Sequence, residues 1–233
     1  PPPPPPPPAH SPPPPPTTPH HSSSAASDVY KRQKLGISIL KPCINYSSDE
    51  FKIEEVSQNK FGIRYSLSSL KNVGDECVKK IVQIRNKEGF FKNVDDLLNK
   101  VSYGLITKKT FESLIKSGAL DTLENNRNKL FKSIELMIVH SHSIEKDKIS
   151  NQQNLFNETN QNELLINLPD TQEWSAHEKL NNEFSSLGLY LSSHPLKNYL
   201  NILKKIDIKK TSEILEEPHK YFGKNIQLCG IVF

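Results

Sequence analysis

A chain of 233 residues, 35% apolar and 24% charged, can fill one or two small cores, and its formal net charge of +4 is too mild to establish a polyanionic partner. No apolar run approaches the ~18 residues that a membrane span needs, and the N-terminus lacks the charged, apolar and small-residue regions of a signal peptide. Cys43, Cys77 and Cys229 are far apart, with no CxxC pair and no His at metal-ligand spacing, which suits a reducing compartment and speaks against a structural zinc.

Composition shifts abruptly at the start, where fourteen of the eighteen prolines fall between Pro1 and Pro19. With almost nothing apolar to bury, this stretch is expected as polyproline II or disorder. Its ordinary reading is a Pro-rich linker. The next run, Ser23 to Gln33, resembles a translated transposase adapter of the kind attached to sequencing libraries, so residues 1–33 are read as a non-native, adapter-derived segment. Setting aside Asp28, Lys31 and Arg32 lowers the net charge from +4 to +3.

From Gly36 to Ile44, and again at Phe51-Lys52-Ile53 and Phe61-Gly62-Ile63-Arg64-Tyr65, apolar residues suggest short strands. From Leu67 the period becomes helical. Leu67 and Leu70 lie three apart, a turn falls at Asn72-Val73-Gly74, and Cys77, Val78, Ile81 and Val82 share one face, predicting two short helices joined by a hairpin. Asn93 is placed to cap a helix carrying Leu97 and Leu98, and Thr107 one carrying Phe111, Leu114 and Ile115 that ends at Gly118. A longer helix is expected from about Asn126 to His140, with Leu130, Ile134, Met137 and Ile138 as its buried stripe. Residues from about Ser141 to Pro169 are polar and read as a linker, with Leu155-Phe156 inside it. Ser175-Ala176-His177-Glu178 fits a capping box that opens a helix running to Gly188. Pro195 can open another, with Leu196, Leu200 and Leu203 on its face, and Ile226, Leu228, Gly230 and Val232 alternate as in one strand of a sheet.

Two stretches carry recognition chemistry. Leu70 to Ile81 resembles a helix-hairpin-helix, a motif in which a tight turn at a helix start exposes backbone N–H groups that take a phosphate oxygen without reading a base. Gly74 would allow close approach, Asn72 tolerates left-handed backbone where a first glycine is usual, and Val73 is the tip residue. Lys71, Lys79 and Lys80 would add charge pairing that weakens with salt. The bland reading is a helical hairpin with solvated lysines. Gln152-Gln153-Asn154-Leu155-Phe156 matches Q-x-x-[LM]-F, the pattern for docking on the bacterial sliding clamp. Leu155 and Phe156 would fill an apolar pocket on the partner and Gln152 would bond at its rim; otherwise the two apolar residues pack back on the core. His194 reads as a turn histidine before Pro195, and Asp95-Asp96 and Glu216-Glu217 read as caps or solvated faces rather than a two-metal site.

The order of these pieces, together with Gly62-Ile63-Arg64-Tyr65, Phe90-Phe91 to Leu97, Leu114 to Asp121, Trp174 and Leu187 to Leu196, resembles the alpha subunit of bacterial DNA polymerase III over essentially all of residues 34–233. The resemblance implies a fragment from the C-terminal region of that replicative polymerase. It implies a mainly α fold: residues 34–66 as the end of a fingers-type region with short strands, 67–140 as a helix-hairpin-helix DNA-binding domain, and 141–170 as a linker carrying the clamp motif. Residues 171–220 would be a helical connector, and 221–233 the truncated start of an oligonucleotide-binding (OB-fold) barrel with its first strand at Lys224 to Phe233.

The implied partners are duplex DNA contacted without sequence specificity, the sliding clamp (beta subunit) and other holoenzyme subunits, in the bacterial cytoplasm and not on a membrane. By the resemblance, the parent would be a DNA-directed DNA polymerase that uses Mg²⁺. Its catalytic carboxylates lie in an upstream palm region with no counterpart here, so the stretch should hold no cofactor and not polymerise DNA alone. The competing readings are a repair- or ligase-like helix-hairpin-helix module without a clamp partner, and a structural helical adaptor.

Overall fold

The computed structural model describes residues 38–149, 166–193, 195–206, 208–209 and 211–229. The expected strands form as β1 (Ser38–Leu40), β2 (Lys52–Ser57) and β3 (Lys60–Arg64). β2 and β3 are antiparallel with Ile53 opposite Ile63, and β1 adds to the other edge of β3 in parallel, with Ile39 opposite Ile63. On the opposite face Arg64 donates to the Glu54 carboxylate at 2.7 Å, as the period-two alternation of side chains requires.

The rest is helical, so the chain is mainly α with one small sheet. The helices are α1 (Asp75–Glu88), α2 (Val94–Lys100), α3 (Lys108–Ser117), α4 (Arg127–Lys132), α5 (Ile134–Ile149) and α6 (Ala176–Leu187). A 3₁₀ turn, Pro195–Tyr199, then leads into α7 (Leu200–Lys205), α8 (Thr211–Glu216) and α9 (Pro218–Tyr221). Local chemistry sets the starts. Asn93, Thr107, Asn126 and Ser175 each accept a backbone N–H two or three residues into the helix that follows, and Ser175 and Glu178 complete the expected capping box.

Several expectations are corrected. Among the described residues no helix precedes the hairpin: residues 67–73 are two successive turns, Leu70 N–H to Leu67 O at 3.1 Å and Val73 N–H to Leu70 O at 3.3 Å. The backbone is committed elsewhere, since Lys71 N–H, the donor that an α-turn from Leu67 would direct to Leu67 O, goes to Ser186 O at 3.1 Å, so no i→i−4 ladder starts. The single helix expected over 126–140 breaks at Ser133, whose hydroxyl donates to Lys129 O at 2.7 Å and competes for the carbonyls that would carry the helix onward. Its second half then runs on to Ile149, into the polar stretch read as linker. Pro195 opens a 3₁₀ turn before the helix forms. The strand expected over Lys224 to Phe233 has no ladder in its described part, residues 224–229, where Gln227 O accepts one bond from Lys209 N–H at 3.2 Å; the last four residues lie outside the described part.

The core lies between the hairpin and helices α1 to α6. Leu67, Val78, Ile81, Leu97, Leu114 and Met137 are fully buried, each such side chain contributing roughly 1.5–3 kcal/mol of transfer free energy. Residues after 165 also pack on this core. Ile166 and Leu168 pack on it, Trp174 sits 5.4 Å from the Phe131 ring, and α6 lies along α3.

Gly118 makes the junction of α3 and α4 possible. Its φ of +79° is the left-handed end of α3, and a Cβ there would run into the Arg127 guanidinium. Arg127, itself buried, donates to both oxygens of Asp121 and to Lys116 O, joining the two helices.

Candidate nucleic-acid interface

The hairpin turn places its apolar residues inward and its polar ones outward. Leu70 and Val73 are buried, while Lys71, Asn72, Gly74, Asp75, Glu76, Lys79 and Lys80 are exposed. Asn72 adopts φ +60°, the left-handed geometry its side chain tolerates, so the chain reverses between two anchored apolar residues. The Val73 side chain belongs to the core, and only its backbone can take part in a surface contact.

Gly74 is the N-cap of α1, with extended φ −82° and ψ 146°, and it supplies no side-chain cap, unlike the residues that open α2, α3, α4 and α6. The first N–H groups of α1 therefore receive no side-chain cap, and at an exposed turn such donors and the positive end of the helix dipole favour an anion. The conformation does not demand glycine, and a Cβ at Gly74 would meet nothing within 4 Å. The bare position leaves room outside the molecule. Asp75 and Glu76 in the first turn oppose an anion; Lys71, Lys79 and Lys80 favour it, so the local balance is positive by one charge.

Two partners distant in sequence fix the turn. The Thr110 hydroxyl, on α3, donates to Asn72 O at 3.0 Å, and Lys71 N–H donates to Ser186 O at 3.1 Å, on the last turn of α6. Tyr65 OH reaches the neighbouring Leu187 O at 3.4 Å. Neither Thr110 nor Ser186 is marked by the sequence pattern, because nothing local records a contact across 38 residues or more. Behind the turn, burial pushes the Cys77 thiol up, with Lys80 pulling the other way, so this cysteine is a neutral core residue.

Gln152, Leu155, Phe156 and His194 lie outside the described residues. The stems around the Gln152 segment are α5, which ends at Ile149, and Ile166, whose N–H donates to Asp95 Oδ1 at 2.9 Å. Asp96 accepts from Lys92 N–H and Lys100 Nζ, each at 2.9 Å, and Glu217 pairs with Lys220 at 3.1 Å. These carboxylates are structural partners, and among the described residues no three His, Cys, Asp or Glu side chains gather as a metal site. Among the described residues no helix is long and apolar enough to cross a membrane.

Residues 36–130 match the model of the helix-hairpin-helix motif family. The chain is also similar to proteins named DNA polymerase III subunit alpha. It is 33% identical to that of Borreliella burgdorferi over 79% of this chain and 17% of the relative, and 36% identical to that of Mycobacterium tuberculosis over 73% and 14%. With the Caulobacter vibrioides protein the identity is 26%, over 86% of this chain and 17% of the relative. The chain thus spans about a sixth of the length of the curated relatives it matches. Through these matches and its helix-hairpin-helix region, the chain belongs to the bacterial DNA polymerase III alpha-subunit family.

Proposed function

We propose that this chain grips the backbone of duplex DNA through its hairpin and serves a replicative DNA polymerase as a binding and tethering segment. The observation that carries the reading is the uncapped start of α1 behind the left-handed Asn72 turn, flanked by the exposed Lys71, Lys79 and Lys80. Such a surface contacts phosphate and is indifferent to sequence. Lys71→Ala is the direct test. Removing one phosphate-bound cation lowers the slope of log affinity against log salt by about 0.9, so the variant should bind more weakly and with a shallower slope. A purely structural hairpin would show neither affinity nor slope.

The tether is the second half of the proposal. Gln152, Leu155 and Phe156 would dock on the sliding clamp, making each DNA rebinding intramolecular and raising effective concentration without new DNA contacts. Its support is the Q-x-x-[LM]-F pattern within a polar stretch whose stems, Ile149 and Ile166, belong to the DNA-gripping body. The ~16 residues between the stems reach at most about 55 Å end to end, which bounds how far a docked clamp would lie from the stems. Replacing Leu155 and Phe156 by Ala should abolish clamp binding and leave duplex affinity intact; clamp binding that persists unchanged would refute docking through these residues, and no clamp binding by the unmodified chain would leave a helix-hairpin-helix module with no such partner.

Within the whole polymerase, nucleotide transfer and its Mg²⁺ are assigned to other parts of the polypeptide, and other holoenzyme subunits would be further partners. The chain alone should extend no primer.

A further inference from the structure

Lys108 and Lys109 are neighbours in the first turn of α3, both exposed, and the structure gives them different fates. Lys108 Nζ is held by Glu135 of α5 at 2.7 Å, while among the described residues Lys109 has no ion-pair partner. Thr110, the next residue, turns its hydroxyl to Asn72 O in the hairpin at 3.0 Å. At 3.6 residues per turn Lys108 lies about 200° around the helix from Thr110, facing away from the hairpin, and Lys109 lies about 100° away, on the flank between. The other flank, occupied by Phe111, is buried. Lys109 is therefore an exposed ammonium, without an ion-pair partner among the described residues, on the helix turn that Thr110 ties to the hairpin by a contact between residues 38 apart.

We propose that Lys109 is a phosphate contact on the same DNA-binding surface, extending it from the hairpin onto the start of α3, and that Lys108 is not. This rests on the DNA-binding reading above. A duplex carries a phosphate every ~3.4 Å of axis on each strand, so a backbone seated on Asn72 to Asp75 presents neighbouring phosphates to the flank that holds Lys109. Glu112, three residues on, and Asp75 and Glu76 on α1 are the acidic groups nearest in sequence to the two sites, and they limit the gain to a single added contact. Thr110 acts as a positioning residue, since it holds the α3 start against the turn without meeting the DNA itself.

The test is fluorescence anisotropy of a labelled random-sequence duplex of about 24 base pairs with the full chain, titrated at several salt concentrations. Lys109→Gln should lower the salt slope by about 0.9 and weaken binding roughly fivefold to tenfold near 0.1 M salt. Lys109→Arg should restore both, and Lys108→Gln should match the unmodified chain. Thermal melting of all three checks that the fold is intact. If Lys109→Gln binds like the unmodified chain while Lys71→Ala loses slope, the extension is wrong and the hairpin reading stands. An equal loss for Lys108→Gln would replace a specific contact by general charge and also overturn it. If the unmodified chain shows no salt-dependent affinity, the DNA-binding reading itself fails and takes this inference with it.

Discussion

The Arg127 guanidinium meets the Asp121 carboxylate at 2.6 Å, and it can do so because Gly118 carries no side chain where the guanidinium lies. Burial works against the charge of Arg127, but the hydrogen bonds to Asp121 and the charges of Asp121, Glu183 and Glu173 outweigh it and raise its pKa. Gly118→Ala would add a methyl group in that space and force a left-handed backbone on a residue that resists it. A loss of about 2–3 kcal/mol in chemical denaturation is expected, far above a surface substitution.

Acid should loosen the junction of α4 with the segment before α6. Partial burial of Glu173 raises its pKa, but Lys179 at 2.9 Å and the N–H groups of Trp174, Arg127 and Asn128 overcome that, holding the carboxyl below the ordinary carboxylate range. A depressed folded value means that its contribution is complete above the unfolded pKa and is lost as pH falls through the folded one. Melting temperatures of the unmodified chain and Glu173→Gln should differ at pH 6 and converge towards pH 3. A constant gap would contradict the assignment.

Arg85 closes α1 by donating from Nη1 to Ile44 O and Ser47 O, each at 2.8 Å, inside the fold and, among the described residues, without a carboxylate partner. Arg85→Met keeps much of the volume and strips both carbonyls of their donor. A cost of about 1–3 kcal/mol is expected from denaturant midpoints, with the α1 amides losing hydrogen-exchange protection first.

What could be read from the sequence followed the range of the interactions. The caps at Asn93, Thr107 and Ser175 were legible because capping is settled within four residues, and Asn72 was legible because few residues accept φ +60°. The missing first helix of the hairpin was not, since Leu67 and Leu70 have helical spacing while the Lys71 donor that would open the ladder is taken by Ser186 from across the fold. The break at Ser133 also escaped the periodicity. Leu130, Ile134 and Met137 stay buried on both sides of it, so the apolar stripe looks continuous. In the candidate site, the exposed lysines and the turn were visible, but the supports from Thr110 and Ser186 come from elements far along the chain.

The most direct test of the central claim uses Gly74, where the fold leaves a Cβ nothing to meet and φ is ordinary. Gly74→Val should therefore fold, at no more than the ~1 kcal/mol that a poorer N-cap costs, while its isopropyl group keeps a phosphate from the first N–H groups of α1. Duplex affinity measured by anisotropy at constant salt should fall at least about tenfold, well beyond the small change in stability. An unchanged affinity in the folded variant would contradict phosphate binding by this turn.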